Sequence, residues 1–314
     1  MTTVDNVVEA LDVRPRAIEK RGKSRPKFRD TWWRHLVGIL AALFALFPVA
    51  YIVSAAFNAT PSLSGSGLIP SHVTLANFGT LFHGSKSATK SFADAHYGTW
   101  FLNSMIVCAA TALFTVMLSA LAAYAFSRFR FRGRRMGMLA LLLIQMFPQL
   151  LAIVAIYLIV LHTGKVFHVL GLNHLTALVV VYLGGALGVN TWLMKGFFDT
   201  IPAELDESAR VDGATPAQVF WGVILPLAAP VLAVIGLISF ITTLNEYAIA
   251  SALMATTQKF TLPLGLFDYI DQKYSEHWGP FAAGVLIAAI PAALLFVSLQ
   301  RFIVSGLTQG SVKG

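Results

Sequence analysis

Six apolar stretches recur along this 314-residue chain, each long enough to cross about 30 Å of hydrocarbon as an α-helix. They run from Leu36 to Phe57, Phe101 to Phe126, Met136 to Val160, Thr176 to Met194, Leu225 to Ala250 and Pro280 to Val304. A segment in lipid has no water to satisfy its backbone donors and acceptors, so each stretch must close its own hydrogen bonds as a helix. The charged residues, 12% of the chain against 56% hydrophobic ones, gather between the stretches. The sequence therefore predicts an all-α integral membrane protein with about six transmembrane helices and excludes a single soluble domain. The lone cysteine, Cys108, lies inside a stretch, so redox chemistry and an intrachain disulfide have no support.

Charge bias predicts the orientation. If both ends face the cytoplasm, the inner segments hold 18 of the 23 Lys and Arg residues, including Arg128 to Arg135, Lys195 and Arg210. The outer loops then keep Lys86, Lys90, Lys165, Lys259 and Lys273. An even number of spans with both ends inside follows from the positive-inside rule. Three regions result: a basic cytoplasmic extension over residues 1–35, a membrane domain over 36–304 that includes a cytoplasmic loop at 195–224, and a cytoplasmic tail over 305–314. The extension reads as a segment held at an anionic membrane face rather than as a nucleic-acid binder. The loop from Asn58 to Trp100, rich in Ser, Gly and Thr, reads as a partly folded cap or as partly disordered.

One polar interruption stands out, Ile201 to Phe220. Pro202 suits the first turn of a short helix running to Arg210, and Gly213 can end it in a left-handed conformation. Thr215 as cap, Pro216 at the first helical position and Gln218 three residues after the cap form the start signal of a second helix. Helix, tight turn, helix is the expectation. Glu204, Glu207 and Arg210 follow at intervals of three, with Leu205 and Ala209 one turn apart as a small apolar stripe. Such a surface serves either as a solvated helix or as a docking element, in which Glu207 meets a basic residue of a soluble partner and Ala209 and Gly213 permit close approach.

At these residues the sequence resembles the membrane permeases of ATP-binding-cassette importers, in particular the smaller permease of the maltose/maltodextrin-type carbohydrate branch. The family pattern of Glu-Ala-Ala, a glycine, and then an apolar residue, Leu and Pro stands here as Glu207-Ser208-Ala209, Gly213 and Ile224-Leu225-Pro226. Ser208 departs from the usual alanine but is similarly small. The ending GLTQGSVKG, Gly306 to Gly314, also resembles the terminal segment of maltose permeases. The resemblance implies that Glu207, Ala209, Asp212 and Gly213 dock into an ATPase subunit, with Glu207 as the electrostatic contact. It further implies a second permease subunit, two ATP-binding subunits that hold ATP and Mg, an extracytoplasmic sugar-binding protein and a location in the bacterial inner membrane.

The chain itself has no glycine-rich phosphate loop: Gly164-Lys165 is followed by Val166 and lacks the upstream glycine. It is expected to hold no cofactor and to hydrolyse no ATP. Gln145, Gln149, Asn190, Asn245 and Glu246 are candidate pathway residues within or beside the spans, and each reads either as a contact in a sugar pathway or as a hydrogen bond between helices. Gly184, Gly185 and Gly188 suggest close helix packing, while Pro148, Pro226 and Pro230 suggest bends. His162, His168 and His174 share a short region without zinc-motif spacing. Trehalose or another small glycoside stays open as the cargo. An intramembrane enzyme built on Glu246 and a noncatalytic scaffold are the readings from other classes.

Overall fold

A computed structural model describes residues 28–59, 69–70, 72–83, 96–270 and 277–309. It is helical throughout, and its one antiparallel bridge, Asn58 to Val73, stands outside any strand among the described residues. Two compact units divide the chain at Val49. The first contains most of α1 (Phe28–Phe57), whose Leu36, Leu40, Leu43 and Phe44 are exposed, as befits a helix with lipid as its solvent. Most of the basic extension, Lys86, Lys90, Lys273 and the last five residues fall outside the described residues.

In the second unit a long helix, α3 (Tyr97–Arg128), is the central post. Its buried face carries Thr111, Thr115 and Ser119 at four-residue spacing, small enough for neighbouring backbones to approach. Against it pack α6 (Leu175–Phe198) and α10 (Ala229–Leu244), and α13 (Trp278–Gln309) packs on α10. The expected helices from Phe101, Thr176 and Pro280 are all present and extend a few residues beyond the apolar stretches.

Two expected spans are broken. The stretch Met136 to Val160 splits into α4 (Arg134–Gln145) and α5 (Gln149–Val166), because Pro148 has no N–H to continue the ladder. Only α5 is long and apolar enough by itself to cross a membrane. The fifth stretch likewise turns by 76° at Ala228, between a helical run over Pro216–Leu227 and α10. Pro226 and Pro230 flank that corner and remove two donors from it. Five helices are thus long enough to span, or six when this bent pair is one span.

Part of the long loop after α1 is folded. Asn77, on α2 (Ala76–His83), donates to the carbonyls of Ala56 and Asn58 at 2.9 and 2.8 Å. A side chain on Gly279 would come within 2.5 Å of Asn77, so α2 sits tightly over the start of α13.

Candidate functional site: the polar hairpin and its anchor

The hairpin forms as its local signals require. Its first helix, α7 (Glu204–Val211), ends where Gly213 takes a φ of +88°. Gly213 N–H then donates to Arg210 O at 3.0 Å and Ala214 N–H to Ala209 O at 2.9 Å, the paired bonds that close a helix C-terminus around a left-handed glycine. After the turn, Thr215 caps α8 (Pro216–Val219) reciprocally: Gln218 N–H donates to Thr215 Oγ1 at 3.3 Å and Thr215 N–H to Gln218 Oε1 at 2.8 Å. A five-residue π-helical turn, Phe220–Ile224, leads through α9 (Leu225–Leu227) to the bend before α10.

One side of the hairpin is buried. Val219, Phe220 and Ile224 join Phe198, Ala123 and Tyr124 in a core cluster, and Ala209 and Ala214 lean on it. Ala209 therefore belongs partly to the inner face. The outer face carries Glu204, Glu207, Ser208 and Asp212 with Leu205 and Val211, the last being 88% exposed. Of the four docking candidates, Glu207, Asp212 and Gly213 are exposed and Ala209 is half-buried.

Two charged residues that the sequence did not single out hold the hairpin in place. Asp206 is buried, 4% exposed, on the inner face of α7. Arg128, the last residue of α3, brings its Nε within 2.5 Å of Asp206 Oδ2, and its Nη2 donates to Ile201 O at 2.9 Å. The Nε–Oδ2 approach is a close ion pair rather than an aligned hydrogen bond, and Asp206 Oδ1 has no partner among the described residues. An Asp at i with Ala at i+3 is a weak sign of an inner face, and nothing in the local pattern points to Arg128 as its partner. Beside this pair, Asp199 accepts hydrogen bonds from Ser127 Oγ at 2.7 Å and from Lys195 Nζ. Burial pushes the Asp199 carboxyl up, but those two hydrogen bonds together with the charges of Lys195 and Arg134 outweigh it and hold the group below the usual carboxylate range.

The candidate pathway residues occupy separate places. Gln145 and Gln149 line one cavity with Gly184, Gly185 and Ile249, and Gln145 Nε2 donates to Gly185 O across it. A Cβ on Gly188 would come within 2.6 Å of Gln145 Cγ, so the expected close packing rests on Gly188, whereas Gly184 has open space. Asn190 is buried within α6. Asn245 lines a second cavity beside Tyr247 and Phe267, and its Nδ2 donates to Ile241 O at 2.8 Å. Glu246 lies between α10 and α11 (Ala248–Leu253) with both oxygens engaged. Oε1 accepts from Ile249 N–H at 2.7 Å, and Oε2 accepts from Ala250 N–H at 3.1 Å and from Tyr182 Oη at 2.6 Å. This is helix capping reinforced from α6.

Residues 115–309, which contain the hairpin and all five of these polar residues, match the family described as binding-protein-dependent transport system inner membrane component. The chain belongs to that family. As an inner membrane component it is a multi-pass membrane protein, a permease rather than an enzyme. Curated relatives cover nearly its whole length. The maltose/maltodextrin transport system permease protein MalG of Vibrio vulnificus is 38% identical over 94% of this chain and 99% of its own. The galactooligosaccharides transport system permease protein GanQ of Bacillus subtilis is 36% identical over 89% and 94%, and the maltodextrin permease MdxG of the same species 34% over 88% and 93%. A chain of a bacterial ABC transporter involved in the import of the acidic polysaccharide alginate has the same fold, with a TM-score of 0.71 over 88% of this chain and 98% of that one at 24% identity.

Proposed function

We propose that this permease is one membrane subunit of an ATP-driven carbohydrate importer of the maltose/maltodextrin type, and that its polar hairpin receives the work of a separate ATPase. The observation that carries the coupling role is the two-faced hairpin. Its outer side offers Glu207, Asp212 and the exposed Val211 to a partner, while its inner side is fastened to α3 through Arg128 and Asp206. A carboxylate beside an exposed aliphatic group suits a cleft that has a basic residue at its rim and an apolar floor. Displacing such a hairpin moves the packed helices behind it as bodies rather than deforming them.

The carbohydrate assignment draws on the relatives, whose names specify maltose, maltodextrins and galactooligosaccharides. In this reading both termini face the cytoplasm, in line with the charge bias. The partners are a second permease, two ATP-binding subunits carrying ATP and Mg, and an external binding protein that delivers the sugar. Trehalose or another small glycoside is the competing cargo.

Reconstitution of the full complex in proteoliposomes tests the coupling. Glu207→Lys is expected to abolish sugar-stimulated transport, and Val211→Asp to lower it strongly, with the complex still inserted in the membrane. Undiminished transport in Glu207→Lys would sink the docking role. Uptake of radiolabelled maltose against trehalose decides the cargo, and failure of both rejects the narrow assignment while leaving the broader importer reading intact.

A further inference from the structure

A second polar feature on the same unit has no hairpin residue in its lining. Between the end of α3 and the start of α4 the chain runs Arg128-Phe-Arg-Phe-Arg-Gly-Arg-Arg135. There a cavity of about 660 Å³ has both basic residues, Arg134, Arg135 and Lys195, and apolar ones, Phe131, Leu139 and Trp192, in its lining. The last three are each about half exposed, at 46%, 49% and 50%. Lys195 pairs with Asp199, and Arg134 acts on the same carboxylate through its charge and makes a long contact to Ser127 O at 3.5 Å. Arg135 is exposed and has no hydrogen bond or ion pair among the described residues. The three cations of the lining thus exceed the one adjoining carboxylate, Asp199, by two.

We propose that this cavity binds the headgroup of an anionic phospholipid. The arrangement is that of an amphiphile in mirror image. The cations lie where α4 packs against α6, and α4 continues from them as Met136-Gly-Met-Leu-Ala-Leu-Leu-Leu-Ile144, with Leu139, Leu143 and Ile144 exposed along it. From Arg135 to Leu143 the helix rises about 12 Å, a depth that takes a chain from headgroup level into the acyl region. Trp192 beside the cations is the side chain that favours the boundary between the two. An acidic protein surface would satisfy the arginines equally well but leaves the apolar wall without a partner. A free phosphate does the same. Basic pockets between helices at a membrane face are suited to phosphate-bearing headgroups, with a bidentate guanidinium–phosphate contact as the specific element.

The test uses the whole transporter complex in nanodiscs holding phosphatidylethanolamine and phosphatidylglycerol in equal amounts, with retained lipid counted by native mass spectrometry. Each basic side chain at an anionic surface contributes roughly fivefold to affinity, so Arg134→Gln with Arg135→Gln is expected to lower phosphatidylglycerol retention roughly 25-fold relative to phosphatidylethanolamine. Arg134→Lys with Arg135→Lys keeps the charge and retains most of the preference. Arg301→Gln, at an exposed cation on α13 outside the cavity, leaves it unchanged. Equal retention of the two lipids by the unaltered complex overturns the proposal. So does a loss of preference as large in Arg301→Gln as in the double variant. Displacement of phosphatidylglycerol by millimolar inorganic phosphate assigns the cavity to a soluble anion and also overturns it.

Discussion

The pairing of Arg128 with Asp206 is the charged contact between the hairpin and the central helix, and its loss has a calculable consequence. Their side chains are 10% and 6% exposed, so neither charge has much water to fall back on. In Asp206→Ala the guanidinium keeps only the Ile201 carbonyl. In Arg128→Ala the carboxylate, which already has one oxygen without a partner, loses its counter-charge altogether. Removing one member of a buried pair costs about 3–5 kcal/mol, whereas replacing both by apolar groups of similar volume is often neutral. Each single variant should therefore raise local opening of the hairpin by about two to four powers of ten. Arg128→Met combined with Asp206→Leu should recover most of that stability. Amide hydrogen exchange over residues 201–213, in the assembled complex in nanodiscs, measures the opening. A second readout separates stability from coupling: the double variant, stably folded but joined by apolar contact alone, should transport less sugar per ATP than the unaltered complex. The reasoning is refuted if the single variants cost under about 1 kcal/mol, as an exposed ion pair would, or if their effects simply add in the double variant.

Glu246→Ala should lower the thermal stability of the complex by about 1–2 kcal/mol, because it uncaps α11 and orphans Tyr182 Oη, while Glu246→Gln recovers part of this. Unchanged melting with lost uptake would instead make Glu246 a contact of the sugar pathway. For Asp199 the folded-state carboxyl titrates below its ordinary value of 3.8, so its contribution is present above that pH and disappears as pH falls through the lower folded value. Thermal melting near neutral pH and below about pH 4 should show a smaller acid-induced drop in Asp199→Asn than in the unaltered protein. The effect is small, since the side chain is 43% exposed. An equal drop in both counts against it.

Much of this protein is determined by sequence because the decisive forces are local. Hydrocarbon requires a helix to close its own hydrogen bonds, so the helices beginning near Phe101, Thr176 and Pro280 were legible from length and apolarity alone. The hairpin was legible for a similar reason. A left-handed glycine at 213 and a reciprocal cap between Thr215 and Gln218 involve residues no more than a few positions apart.

What the tertiary structure decided depends on partners distant in the chain. Pro148 signalled an interruption, but the partners of the helix that ends before it came only with packing, where Gln145 reaches Gly185 and lies close against Gly188. Glu246 looked the same in sequence whether it lined a passage or capped a helix, and only the approach of Tyr182, 64 residues away, brings its second oxygen a phenolic donor. Asp206 and Glu207 are adjacent carboxylates of the same charge in one short helix, yet one is buried against Arg128 and the other faces outward. Periodicity orders the faces of a helix, but a short helix with polar groups all round cannot say which face is covered. That is decided by the charge waiting at the end of α3, 78 residues earlier in the chain than Asp206.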